Sequence, residues 1–152
     1  MTSEDPKLAL LKRLNFSDLD SCAELFTEDF VWHYFNPRLP DIAGDYRGVS
    51  GLKAFFKTMS TFTDGTFVPQ TISVVPWGDE LLLMCNKNRM TLQGIAIETD
   101  VVLVWRIVDG RISEVWDIPS VFSSDHGSVS HRGWRKRARA RGHPPDQSVP
   151  HE

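Results

Sequence analysis

Several things are scarce in this chain of 152 residues. Its two cysteines, Cys22 and Cys85, allow at most one disulfide and match no metal-ligand spacing, so two buried thiols in a reducing compartment are expected. No apolar run approaches the roughly 18–20 residues that a membrane-spanning helix needs. The start, with Glu4 and Asp5 ahead of a short amphipathic run, lacks the basic-then-apolar order of a secretory leader, and a cytoplasmic location without a membrane partner is the expectation. A net charge of only −3 excludes a strongly basic protein built around nucleic acid. There is no Gly-rich phosphate loop, no Ser nucleophile elbow and no Cys–His arrangement, so no nucleotide or other cofactor is implied. His126, His131, His143 and His151 all lie beyond residue 122 with no carboxylate or cysteine cluster beside them, and no metal site is expected.

The chain does have 41% hydrophobic and 11% aromatic residues, the composition of one ordinary globular domain. Charge divides it in two. Residues 1–122 hold 11 Lys and Arg against 17 Asp and Glu, a balance of −6, while residues 123–152 hold 6 against 3, a balance of +3. The expected division is a folded domain over 1–122 and a basic, flexible tail over 123–152. In that tail five Arg and one Lys fall within Arg132–Arg141 around Trp134. A solvated extension is the plain reading of such a block; attachment to an acidic partner or weak nucleic-acid contact is the other.

Leu8, Leu11 and Leu14 are spaced as one face of a helix from Pro6 to Leu14. Ser17 reads as the N-cap of a second helix burying Leu19, Cys22, Ala23, Leu25 and Phe26. Phe30–Phe35 reads as a strand, 36–48 as a loop punctuated by Pro37, Pro40, Gly44 and Gly48, and about Val49–Phe62 as a third helix. Four strands follow: Thr66–Pro76, Glu80–Gln93, Ile95–Val108 and Arg111–Ile118, with turns at Gly78, Gly94 and Asp109-Gly110. Helices first and then an antiparallel meander give an α+β fold, with three helices on one face of a strongly bent sheet and a pocket between them. On the third of these long strands both faces are apolar in the middle, with Val101, Leu103 and Trp105 on one and Val102 and Val104 on the other. The second face needs a cover, and a homodimer through the outer sheet face is expected.

Four segments carry a resemblance: Asn15–Asp20, Leu25–His33, the Gly44-Asp-Tyr-Arg-Gly48 loop, and Asp109-Gly-Arg-Ile-Ser-Glu-Val-Trp-Asp117. Together they resemble the SnoaL-like branch of the nuclear-transport-factor-2-like superfamily, which also holds ketosteroid isomerase, limonene epoxide hydrolase and polyketide cyclases. The resemblance implies a conical α+β barrel, usually dimeric. It also implies a pocket lined by Trp32, Tyr34, Met84, Asn86, Asn88, Met90, Val101, Leu103, Val115 and Asp117, with Phe55 of the third helix beside them.

The same resemblance tests particular chemistries. At the isomerase positions Tyr34 stands for the base, and Leu10 and Leu103 stand for the two proton donors that would hold an enolate; leucine neither donates nor ionises. At the epoxide-hydrolase positions stand Met84, Asn86 and Ser120. The polyketide cyclases give the nearest match, with Asp117 where their acid/base aspartate lies and Leu103 in place of its histidine partner. The residues therefore point to a small hydrophobic organic ligand and cofactor-independent acid/base chemistry, namely cyclisation, isomerisation or dehydration. Asp117, His33 and Tyr34 are the candidate catalytic groups, and Trp32, Phe55, Met84, Asn86, Asn88, Val101, Leu103 and Val115 the candidate substrate-binding ones. Strand alternation turns His33 away from Trp32 and Tyr34, so its service at the pocket requires a bulge. The alternative is a non-catalytic binding or dimeric assembly protein, in which Asp117 is a structural acid.

Overall fold

Asp5 caps the first helix, α1 (Pro6–Lys12). Its carboxylate accepts the Lys7 backbone N–H at 2.9 Å, and Pro6, which has no N–H to leave unpaired, opens the first turn. The computed structural model describes residues 3–121, and the basic tail expected from residue 123 lies outside the described residues. The second expected helix is a 3-10 helix, Leu19–Leu25, capped by Asp18 rather than Ser17 and interrupted at Cys22 (φ −128°, ψ 22°). Local bonding explains the change. Ser21 Oγ donates to the Asp18 carbonyl at 2.7 Å while the Asp18 side chain accepts the Ser21 N–H at 3.3 Å, and short polar side chains bonded in this way compete with the α-helical ladder.

The first strand, β1 (Phe26–Tyr34), starts earlier than the sequence suggests. Phe26 and Phe30 are both buried, with ring centroids 4.8 Å apart in an edge-on contact, and a four-residue aromatic spacing reads equally well as a helix face. Inside the expected loop a short strand, β2 (Gly44–Arg47), pairs antiparallel with Val31–Tyr34. Helix α2 (Gly48–Phe62) buries Leu52, Phe55 and Met59. The strands β3 (Val68–Trp77), β4 (Leu81–Leu92), β5 (Ile95–Val108) and β6 (Arg111–Pro119) fall close to their expected bounds. Gln93-Gly94 and Asp109-Gly110 connect the last three with both residues at positive φ, the geometry of the two-residue hairpin turn that matches strand twist.

The six strands form one sheet in the order β2-β1-β6-β5-β4-β3. Every neighbouring pair is antiparallel except β1 and β6. The long β4–β5 and β5–β6 pairings fix a single register, in which Met84, Leu103 and Asp117 lie in one row and Tyr34 beside them on β1. The inner face of this curved sheet packs under α2. Trp32, held among Phe55, Phe56 and Trp105 at centroid distances of 5.7–5.8 Å, fills the closed end of the cone.

The outer face stays apolar and open. Val102, Ile118, Ile72, Val75 and Trp77 are all exposed on it or along its β3 edge. Cys85 is there too: it is exposed while Cys22 is buried, and both are free. The expectation of two buried thiols is thus corrected for Cys85, which pairs in register with outward-facing Val102.

Candidate functional site

Between α2 and the inner sheet face lies a cavity of about 130 Å³. Two-residue alternation along β5 and β6 brings Val101 and Asp117 to its wall, β4 contributes Asn88 and Met90, β1 contributes Tyr34, and α2 contributes Phe55 and Met59. The remaining wall comes from residues that sequence reasoning did not select as pocket-lining. Asn36, Arg38 and Leu39 belong to the loop after β1, Phe67 precedes β3, Thr99 and Ile97 lie further along β5, and Ser120 follows β6. The strand members of that group continue the same alternation by one or two steps. The loop members carry no periodic signal.

Asp117 is the acid of the cavity. It is 7% exposed, and its carboxyl makes no ion pair or hydrogen bond of normal geometry with any described residue. Burial pushes it up to about 7 from an ordinary value of 3.8, because an ionised carboxylate without compensating partners is costly in an apolar surround. The Trp32 indole N–H opposes that rise but stops short of bonding, since its Nε1 is buried with no partner.

Tyr34 lies in register beside Asp117. Burial pushes its phenol up to about 12, so the hydroxyl stays protonated at any physiological pH. Its oxygen accepts Asn36 Nδ2 at 2.9 Å, which leaves its own proton free to donate toward the cavity. Deeper polarity is also uncommitted: Asn88 is 9% exposed, and Asn88 Oδ1 and Ser120 Oγ are buried with no partner. The cavity therefore offers one acid of near-neutral pKa, the permanently protonated Tyr34 hydroxyl, the Arg38 guanidinium and two open polar side chains, set against Phe55, Met59, Phe67 and Ile97.

Other expected residues stand elsewhere. Trp32, Leu103 and Val115 are buried in the core beneath the cavity, and Met84 packs half-buried against the same core. Asn86 borders a separate open groove with Ile72, Asp100 and Ser120.

His33 is on the outer face. Its Nδ1 and Nε2 each lie 2.6 Å from a carboxylate oxygen, of Asp45 and Glu114 respectively, and its ring stacks against Phe35 and Trp116. Burial alone lowers its pKa, but the hydrogen bonds to the two carboxylates outweigh this and raise it. Two acceptor-only partners require a proton on each nitrogen, so this histidine is an imidazolium held in a network rather than a free base. Arg106 extends the network, 3.1 Å from Glu114 and over the Trp116 ring. Among the described residues no group of three or more His, Cys, Asp or Glu stands together as a metal site, and no helix is long and apolar enough to cross a membrane.

A curved six-stranded sheet packed against one long helix is the architecture of the nuclear-transport-factor-2-like fold. The chain belongs to the SnoaL-like domain family, whose model matches residues 8–115. Solved structures agree on the fold. An NTF2-like protein of unknown function from Burkholderia pseudomallei is similar with a TM-score of 0.66 and 17% identity, covering 78% of this chain and 93% of that one. Bal32a, from a soil-derived mobile gene cassette, gives 0.64 and 22%, covering 75% and 88%. TerC, co-crystallised with polyporic acid, gives 0.64 and 17%, covering 76% and 92%. No curated protein matches the sequence at a significant level.

Proposed function

We propose that the protein binds a small organic ligand in this cavity and moves a proton on it without a cofactor, in a cyclisation, isomerisation or dehydration of the polyketide-cyclase type. One observation carries the reading: the Asp117 carboxyl lines the cavity, unpaired, with a pKa of about 7. Near neutral pH such a group is populated in both states and can take a proton from carbon and return it. Tyr34, protonated throughout, donates to the ligand oxygen on which charge develops. That TerC has been crystallised with an organic acid ligand supports an organic ligand for this fold and says nothing of its identity here.

Hydrogen–deuterium exchange at the carbon next to the carbonyl of cyclohexanone, followed by NMR, tests the reading without knowledge of the natural substrate. The protein accelerates exchange, and Asp117→Asn removes the acceleration while leaving ketone binding in place. Undiminished exchange in that variant overturns the role of Asp117. The cavity volume favours a second reading, since about 130 Å³ is below the roughly 300–1,000 Å³ of most ligand pockets. Binding of small ketones with no exchange in the native chain is the outcome that selects this non-catalytic reading.

We also propose that the exposed apolar outer face, with Val102 and Ile118 at its middle and Trp77 at its edge, pairs with a second copy of the chain. Light scattering behind size exclusion then shows a dimer for the native chain and a monomer for Val102→Asp; a native monomer removes the proposal.

A further inference from the structure

Resting on the reading of the cavity as a ligand site, the structure also limits what the ligand is. Size comes first. A cavity of about 130 Å³ is close to the roughly 150 Å³ apolar cavity known to hold one benzene ring, and Phe55 and Phe67 supply flat walls. A single ring fits and a fused ring system does not.

Charge comes second. Arg38 lines the cavity, and the structure fixes it there at both ends. Its backbone N–H donates to Asn36 Oδ1 at 3.0 Å, and Asn36 is itself tied to the Tyr34 hydroxyl. Its Nη1 donates to the Val121 carbonyl at 3.0 Å. The cations Lys7, Lys12, Arg13, Lys53, Lys87, Arg89 and Arg106 all have carboxylate partners. Arg38 is exposed and, like Arg47, Lys57 and Arg111, has none among the described residues, but it alone of these four lines the cavity. Four of its five N–H donors have no acceptor among those residues. A planar two-oxygen acceptor matches that fork. One guanidinium does not balance a phosphate dianion, which makes a carboxylate the better match.

Polarity within the cavity comes third. The Asn88 amide, which makes no side-chain hydrogen bond to a described residue, sits on β4 in register with Thr99, between the Val101 row and the Ile97 row. Tyr34 and Asp117 lie together on the adjoining strands.

We infer that the ligand is a single-ring organic acid bearing a hydroxyl or keto group: its carboxylate docks on Arg38, its ring lies against Phe55 and Phe67, and its oxygen substituent faces Tyr34 and Asp117. Arg38 is thereby the specificity-determining residue of the site.

Calorimetric titration at pH 6 and low salt with 4-hydroxybenzoate and its neutral counterpart 4-hydroxybenzamide tests the inference. The acid binds the native chain at least about fivefold more tightly than the amide, as expected of an exposed but geometrically fixed arginine. Arg38→Gln brings the two affinities together without weakening the amide, and added salt erodes the native preference. Equal affinities in the native chain, or a preference that survives Arg38→Gln, overturn the inference, as does failure of both probes to bind. None of these readouts involves turnover. If the acid preference persists in both the native chain and Asp117→Asn while no exchange activity is found, the proton-transfer reading fails and the ligand class stands.

Discussion

Neighbouring residues on β1 and β6 present opposite solutions to burying charge. On the outer face His33 and Trp116 are in register, and the imidazolium is bonded by Asp45 and Glu114 with Arg106 beyond. On the inner face, one residue further along both strands, Tyr34 and Asp117 are in register, and the carboxyl has no partner of normal bonding geometry. The outer group is stabilised in its charged form and the inner group in its neutral form. A network that satisfies its own charges has little left to offer a ligand, whereas an acid held uncompensated in a cavity keeps its bonding capacity for whatever enters. For this reason the proposed site is on the inner face, even though the outer face holds the histidine.

The largest expected effect breaks the inner half of the comparison. Asp117→Asn lowers proton-transfer activity by about 10²–10⁴-fold, the range of a lost general acid/base, as read in the ketone exchange experiment. Next in size is a gain in stability from the same substitution. The folded pKa of about 7 lies above the ordinary 3.8, so the native state binds this proton more tightly than the unfolded chain. The associated stability is present below about pH 4 and lost as pH rises toward 7. Above pH 7 ionised Asp117 costs roughly 4 kcal/mol. Urea denaturation at pH 8 should therefore find Asp117→Asn more stable than the native chain by up to that amount, with the advantage gone at pH 4.

On the outer half the substitution has the opposite effect, although its pH dependence runs the same way. His33→Ala destabilises at pH 6 by about 1 kcal/mol, a value that allows for solvent screening of the partly exposed carboxylates. Because the folded pKa of His33 is raised above 6.5, the stabilisation is complete below pH 6.5 and disappears as pH rises through the raised value. The loss on substitution should shrink by pH 9 in the same denaturation series. Tyr34→Phe sharpens the inner face further. It removes a donor but not the acid, and slows exchange by about 10²-fold with binding of the ketone little changed.

Much of this arrangement is legible from sequence because strands repeat every two residues. The alternation of β5 and β6 gives the faces of Val101, Leu103, Val115 and Asp117, and it turns His33 outward, where the structure has it. Alternation does not give height along the cone. Trp32, Leu103 and Val115 share the face of Asp117 yet lie beneath the cavity, because the rings of Phe55, Phe56 and Trp105 close that end. Nor does any period reach the loop after β1. Asn36 and Arg38 are placed by an Asn side-chain turn, which is local but not periodic, and by a bond from Arg38 to Val121 just past β6, a contact between residues far apart in the chain. The short strand β2 escapes for a related reason: it is an edge strand of four residues, Gly44–Arg47, mostly exposed, with too little apolar alternation to register.

The central claim concerns one proton, and it can be measured without any substrate. Carbon-13 NMR titration of the aspartate carboxyls, with Asp117→Asn identifying the resonance, should show Asp117 titrating with a midpoint near 7. A midpoint near 4, in the range of a solvated or paired carboxylate, contradicts the account.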